Sequence, residues 1–263
     1  MRYMIRLEQI VSYFPPYINE NPSLRKYMVK EYIQLLILDF LSGSHWVKKL
    51  VFIGGTNLRL VKGIDRFSED IDFDCKNLSS DEFIKMAYDV ILFLRRFGFD
   101  IEIREHAGKK LSAFRSNLVF PELLFDLGMS AHKEEKFLIK IECQDQGINY
   151  SSFAANIKGC GLYFTFPVPS DSVLCAMKIS ALLRRSKGRD FYDVIFLLGQ
   201  AEPDYNFLSK KCNIGNYDEL KLALVNLVKR IDLKNKSKDF EHLLFNKLNN
   251  RRVINFGEFV SSL

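Results

Sequence analysis

Leu50-Val51-Phe52-Ile53-Gly54-Gly55-Thr56-Asn57-Leu58-Arg59, followed closely by Arg66-Phe67-Ser68-Glu69-Asp70-Ile71-Asp72-Phe73-Asp74, is the stretch that decides the fold. Leu50 to Ile53 is an unbroken apolar run, the pattern of a strand buried on both faces of a sheet. Gly54 and Gly55 end it. Paired glycines permit positive φ and let another group approach bare backbone. Thr56 is placed to cap a short helix beginning near Asn57. Free N–H groups at such a helix start attract anions, which suits phosphate, although an ordinary strand-to-helix turn has the same spelling.

The residues that follow add chemistry to that turn. From Arg66 to Asp74 the even positions are Arg66, Ser68, Asp70, Asp72 and Asp74, while Phe67, Ile71 and Phe73 hold odd ones. This alternation predicts a strand from Phe67 with Ser68, Asp70 and Asp72 side by side on one face. Two carboxylates ~6 Å apart repel by ~3 kcal/mol at an effective dielectric of ~20. A bound cation removes that cost. All-oxygen ligation favours hard ions, and a partly hydrated Mg²⁺ sharing substrate phosphate oxygens fits best, with Mn²⁺ as the alternative ion. The structural alternative is an edge strand with a solvated acidic face.

A second block lies near residue 180. Ser170-Asp171-Ser172 after Pro169 reads as a helix start, and an apolar-rich segment runs on to Arg185. Lys178 has Leu174, Cys175, Ala181 and Leu182 as its helical neighbours, so its ammonium leaves from an apolar face. Burying it unpaired costs several kcal/mol. It needs an anion, which a triphosphate or an active-site carboxylate would supply, unless its head reaches water past the core. Arg184-Arg185-Ser186-Lys187-Gly188 ends the helix, with Gly188 able to take the left-handed cap. In the next helix Asp190 reads as a first-turn cap or ion-pair residue, and Asp193 lies deeper among Val194, Ile195, Leu197 and Leu198.

An apolar residue, two glycines, a spacer and Asp-apolar-Asp-apolar together resemble the signature of the DNA polymerase β-like nucleotidyltransferase superfamily. The fuller string is Gly-Gly-Thr-x-Leu-Arg, Arg-Phe-Ser-Glu-Asp-Ile-Asp-Phe, then Lys-Ile-Ser-Ala-Leu-Leu-Arg-Arg and Gly-Arg-Asp-Phe-Tyr-Asp. It resembles the AbiEii/AbiGii toxin family, nucleotidyltransferase toxins of type IV toxin–antitoxin and phage-defence systems. The resemblance runs from about Lys30 to about Gly199. It implies metal-dependent transfer of a nucleoside monophosphate from an NTP. Asp70 and Asp72 would hold Mg²⁺, with a third carboxylate on a later strand. Gly54, Gly55, Thr56, Ser68 and Lys178 would bind the nucleotide, and Asp193 matches the last acidic catalytic position. It also implies an acceptor such as the 3′ end of tRNA, so that translation is blocked, and a cognate protein antitoxin.

For the third carboxylate the sequence offers Glu142 in Ile139-Lys140-Ile141-Glu142-Cys143, where alternation separates Lys140 and Glu142 from the apolar positions. Glu102 in Ile101-Glu102-Ile103 has the same local form and stays open, and either could simply face solvent. Acceptors other than tRNA, namely an aminoglycoside-like small molecule or a protein, would use the same carboxylates. A non-catalytic nucleotide- or RNA-binding module is the remaining alternative, disfavoured by the joint presence of Asp70, Asp72, Lys178 and Asp193.

Composition agrees with an intracellular enzyme. At 263 residues and 48% apolar the chain can bury one large core or a catalytic domain with a helical companion. The apolar segment from Tyr32 to Leu41 is too short to span a bilayer and follows no signal-type leader, so a cytoplasmic location without membrane attachment is expected. Five cysteines without close pairs argue against zinc and against a disulfide framework, and His45, His106, His132 and His242 lack metal spacing. Residues 51–199 hold 20 Lys/Arg and 20 Asp/Glu, so the net charge of +6 resides in the flanks. Lys229-Arg230, Lys234, Lys236, Lys238 and Arg251-Arg252 could follow a nucleic-acid backbone, or be solvated helix faces.

The expected architecture is α+β, a polymerase β-like nucleotidyltransferase fold. A small mixed sheet flanked by helices fills residues 1–168, and a helical part at 169–263 completes the active site. Asn21-Pro22 starts a long helix reaching about Ser42. Ser79 and Glu82 form a capping box for a helix to Phe97. Extended segments near Phe99 to Glu105, Leu111 to Phe120 and Lys136 to Gln144 complete the sheet.

Overall fold

A five-stranded sheet in the order β1-β2-β5-β4-β3 carries the motif residues, in a computed structural model that describes residues 6–105 and 113–263. Its strands are β1 (Leu50–Ile53), β2 (Asp70–Cys75), β3 (Glu102–Glu105), β4 (Phe114–Phe120) and β5 (Phe137–Gln144). β2 runs antiparallel to β1 and parallel to β5, and β4 is antiparallel to both β5 and β3. The sheet is therefore mixed, and the fold is the α+β architecture expected. Leu111 and His106 lie outside the described residues.

Two short helices, α1 (Leu7–Val11) and α2 (Pro16–Asn19), precede α3 (Arg25–Ser42). The side chain of Asn21 accepts from the Ser23 N–H and Pro22 opens a 3-10 turn over Pro22–Leu24, so the expected start is met by this turn and α3 follows it from Arg25. Every residue of α3 from Met28 to Leu38 is buried, as befits a helix without a clear polar face. α4 (Gly54–Leu60) links β1 to the segment before β2, and α5 (Ser80–Arg96) opens on the reciprocal Ser79–Glu82 capping box. A single short turn, α6 (Leu123–Asp126), lies between β4 and β5.

One face of the sheet is apolar because strand alternation sends Phe52, Ile71, Phe73, Ile139, Ile141, Leu118 and Phe120 to it, all at most 1% exposed. A hairpin absent from the sequence reading packs there. Its strands β6 (Ser152–Gly159) and β7 (Leu162–Pro169) place Phe166 5.6 Å from Phe73 and 6.0 Å from Phe52, ring centre to ring centre. The connecting residues Cys160 and Gly161 both have positive φ, +48° and +79°, the geometry of a two-residue turn matched to strand twist. Cys-Gly is a weak sequence cue for that turn, because glycine supplies only one of the two left-handed positions at no cost.

The chain divides into two compact units, Met1–Gly63 with Phe67–Gly147 and Phe153–Val168, and Ile64–Arg66 with Ile148–Ser152 and Pro169–Leu263. The second is helical: α7 (Asp171–Arg185), α8 (Gly188–Leu198), α9 (Tyr205–Cys212), α10 (Tyr217–Val228), α11 (Leu233–Lys238), α12 (Arg251–Ile254) and α13 (Phe256–Ser262). Ser170 caps α7 through the Val173 N–H. The left-handed residue at the other end of α7 is Ser186 at φ +48°, not Gly188 as expected. Gly188 is needed for another reason. It opens α8 where an added Cβ would fall 1.9 Å from the Lys236 carbonyl oxygen, so only glycine permits that approach.

β2 also begins later than its alternation suggests. The strand starts at Asp70, and Arg66 instead bridges to Leu244 within the helical unit, so the polar–apolar rhythm of residues 66–69 belongs to an irregular connection. Cys75, Cys143 and Cys175 are buried and Cys160 and Cys212 half-buried, all as free thiols; burial pushes the Cys175 thiol up to about 12. No helix among the described residues is long and apolar enough to cross a membrane.

Candidate active site

In the sheet unit the polar face is built by register. Asp70 stands beside Lys140 and Asp72 beside Glu142 on the parallel neighbour β5, while β4 places Asn117 beside Lys140 and Arg115 beside Glu142. Alternation gives all six the same face. Asp70, Asp72 and Glu142 are half-buried and reach solvent from it. Lys140 Nζ lies 3.0 Å from Asp70 Oδ2 and 3.9 Å from Glu142 Oε2, and Arg115 Nε donates to Glu142 Oε2 at 2.9 Å. Glu102 is placed otherwise. It is exposed on the edge strand β3, beside Val119 of β4, so two strands separate it from β2.

The glycine turn meets this face at Asp72, whose partner across the antiparallel pair is Ile53, the residue before Gly54. Gly54 has φ +84°, and a Cβ built on it would lie 2.1 Å from Asp72 Oδ2. The carboxylate is thus packed on bare backbone, and no side chain fits between them. Thr56 does not cap a helix near Asn57: α4 already begins at Gly54, and the buried Thr56 hydroxyl donates to the Asp70 carbonyl. That bond ties α4 to the start of β2. Asn57 reinforces the bend by donating from Nδ2 to the Phe52 carbonyl at 2.7 Å. Gly55 and Ser68 are close by in sequence and buried, and the Ser68 carbonyl accepts from Gln34 of α3 at 3.2 Å.

Sequence reasoning missed Lys30, which α3 buries to 6% exposure in this unit. Its ammonium lies 3.5 Å from Glu69 Oε1 and 5.6 Å from the centre of the Phe137 ring. Burial lowers its pKa, opposed by the Glu69 and Asp70 charges. The available signal was a lysine, next to Glu31 and close to Gln34, within the largely apolar Met28–Leu38 run.

In the helical unit the structure brings Lys178 and Asp193 together. Lys178 Nζ donates to Asp193 Oδ2 at 2.8 Å, and Asp193 is fully buried. The same carboxylate accepts Arg66 Nε at Oδ1 and Arg66 Nη2 at Oδ2, both at 2.8 Å, a two-pronged pair with a guanidinium only 1% exposed. Burial by itself would raise the Asp193 carboxyl, but the Arg66 and Lys178 charges outweigh it and hold the group below its ordinary range. Arg66 was not singled out from the sequence. Its partner lies 127 residues away, and no local pattern announces that.

Asp190 is spent differently. Its oxygens accept Arg185 Nε at 2.9 Å and Nη2 at 2.7 Å and the Lys187 N–H at 3.1 Å, so it caps α8 and pairs with the end of α7. Asp65, beside Arg66, accepts from Tyr192 at 2.7 Å, Asn249 at 2.6 Å and Arg252 at 3.2 Å, which fastens residues 64–66 to the helices. Lys229, Arg230, Lys234, Lys238, Arg251 and Arg252 are exposed.

Among the described residues no three His, Cys, Asp or Glu side chains come close enough together to hold a metal ion between them. Glu142 shares the face of Asp70 and Asp72, but Arg115 holds its carboxylate. Asp70 and Asp72 nevertheless suit a divalent ion. They are hard oxygen donors at alternate positions of one strand, half open to water, and a partly hydrated ion needs no more than one or two carboxylates from the protein.

A family profile described as "Nucleotidyl transferase AbiEii toxin, Type IV TA system" matches residues 36–243. The fold is similar to "MenT4, nucleotidyltransferase toxin Rv2826c from Mycobacterium tuberculosis H37Rv", at a TM-score of 0.62 and 17% identity over 99% of this chain and 91% of that one. It is also similar to JHP933 from Helicobacter pylori, at a TM-score of 0.53 and 18% identity over 90% of each chain. No curated protein matches the sequence.

Proposed function

Since the chain belongs to the AbiEii nucleotidyltransferase toxin family of type IV toxin–antitoxin systems, we propose that it transfers a nucleoside monophosphate from an NTP to the 3′ end of tRNA in the cytoplasm and is restrained by a cognate protein antitoxin. The observation that carries this reading is the Asp72 carboxylate lodged against Gly54 on the face it shares with Asp70 and Glu142. A glycine bend beside paired carboxylates can accept a polyphosphate and a hard cation together.

In this mechanism Asp70 and Asp72 would hold Mg²⁺, with Glu142, paired here with Arg115, as the candidate third carboxylate. When bound, the ion neutralises phosphate oxygens and makes an attacking hydroxyl more acidic. The Gly54-Gly55-Thr56 turn presents backbone N–H groups to the β and γ phosphates, beside Ser68. Lys178 offsets negative charge that develops during transfer. Asp193 fixes the direction of the ammonium, and Arg66 fixes Asp193, so both act on the reaction through Lys178. The acceptor oxygen bonds to the α-phosphorus as the α–β anhydride bond breaks. Pyrophosphate leaves and the hydroxyl proton passes to water.

Incubating the protein with each labelled triphosphate and tRNA, an aminoglycoside or candidate proteins tests the acceptor. Label on tRNA that disappears with Asp72→Ala is the expected result. Label on another acceptor would reject the tRNA assignment, and no label on any acceptor would reject the transferase reading.

A further inference from the structure

The polar sheet face holds two cations that the mechanism above leaves idle. Lys140 and Arg115 project from the strands next to the carboxylates, in register with Asp70 and Glu142, and each is paired with one of them. Neither is buried as a structural cation would be: their side chains are 30% and 42% exposed. Pairs of that kind contribute little to stability, about 0–1 kcal/mol, so they break readily when a stronger partner arrives. A divalent ion on Asp70 is such a partner. Once the carboxylate is neutralised, the Lys140 ammonium keeps only Glu142 at 3.9 Å, beyond hydrogen-bonding range, on the face where substrate phosphates would lie.

We propose that Lys140 is a substrate-binding residue of this site: Asp70 holds its ammonium in the free protein, and on metal binding it transfers to a phosphate oxygen of the substrates. This rests on the nucleotidyl-transfer reading. The phosphate oxygen belongs either to the triphosphate or to the acceptor backbone, and the two are separable by which substrate loses affinity. Lys140 also competes with the metal for Asp70, so removing it affects ion and phosphate in opposite directions. A lysine that merely propped Asp70 in place would compete with the ion but make no contact with phosphate, so only the phosphate effect separates the two roles.

The test uses the full chain with Lys140→Met, which keeps the apolar stem, and Lys140→Arg, which keeps the charge. Free Mn²⁺ alone is titrated and followed by its electron paramagnetic resonance signal, and transfer kinetics are measured separately. Lys140→Met should bind Mn²⁺ about fivefold more tightly, the size expected from losing one exposed competing charge. It should also raise the KM of one substrate, the triphosphate or the acceptor RNA, with the other unchanged, and Lys140→Arg should restore that KM. Unchanged or weaker Mn²⁺ binding, or two unchanged KM values, overturns the proposal. Nucleotide transfer that survives Asp72→Ala would instead overturn the function on which it rests, whatever Lys140 does.

Discussion

Replacing Asp193 by asparagine removes one negative charge from a position where two buried cations depend on it. Arg66 is 1% exposed and Lys178 7%, so neither can turn to water without opening the helical unit. Breaking a buried ion pair from one side costs ~3–5 kcal/mol, because the remaining charge is left uncompensated. At ~2–4 °C per kcal/mol for a chain of this size, the melting temperature should fall by roughly 6–20 °C. Asp190→Asn is the internal comparison. Asp190 is equally buried, but its partner Arg185 is 39% exposed and can swing into solvent, leaving a cost of about 1–3 kcal/mol. Urea unfolding followed by far-ultraviolet circular dichroism measures both. The opposing charges outweigh burial and depress the Asp193 carboxyl, so its contribution is complete above its unfolded value of about 4. It is lost as the pH falls from there through the folded value, and Asp193→Asn should lack that decline. A loss no larger than that of Asp190→Asn would refute the account of Asp193 as the shared anchor of two trapped cations.

Gly54→Ala should cut nucleotide transfer by at least ~100-fold, since the new methyl displaces the Asp72 carboxylate, and full activity in a label-transfer assay would contradict the packing described. Lys178→Met should lower kcat on the order of 100-fold while the melting temperature shifts little, because Arg66 still satisfies Asp193. Gly188→Ala, whose methyl would strike the Lys236 carbonyl, should destabilise the protein by about 2–3 kcal/mol in urea melts, although no substrate residue is touched.

The sequence was informative wherever a local rule governs. The Ser79–Glu82 box and the Ser170 cap are each settled within a few residues and their helices begin there, whereas Asn21-Pro22 starts a 3-10 turn over Pro22–Leu24 from which α3 continues at Arg25. Alternation likewise identified Asp70 and Asp72 as sharing a face. It overran at Arg66, whose polar–apolar rhythm continues smoothly although the residue belongs to the helical unit, where Asp193 claims its side chain. Glu142 and Glu102 looked alike because their flanking residues are alike. Only strand order separates them, placing one beside Asp72 and the other on the far edge. The anion that Lys178 requires could be inferred from its helix face. That this anion would be Asp193, shared with Arg66, depends on tertiary packing that no residue spacing encodes.

The separation of Arg66 from Asp193 has a consequence during synthesis. At ~5–20 residues per second, Arg66 leaves the ribosome roughly 6–25 s before the aspartate that anchors it. Throughout that interval a nascent chain already carries Asp70 and Asp72 but has no anchored Lys178. A chain made in this order gains the Lys178–Asp193–Arg66 cluster only after about three quarters of it has been synthesised.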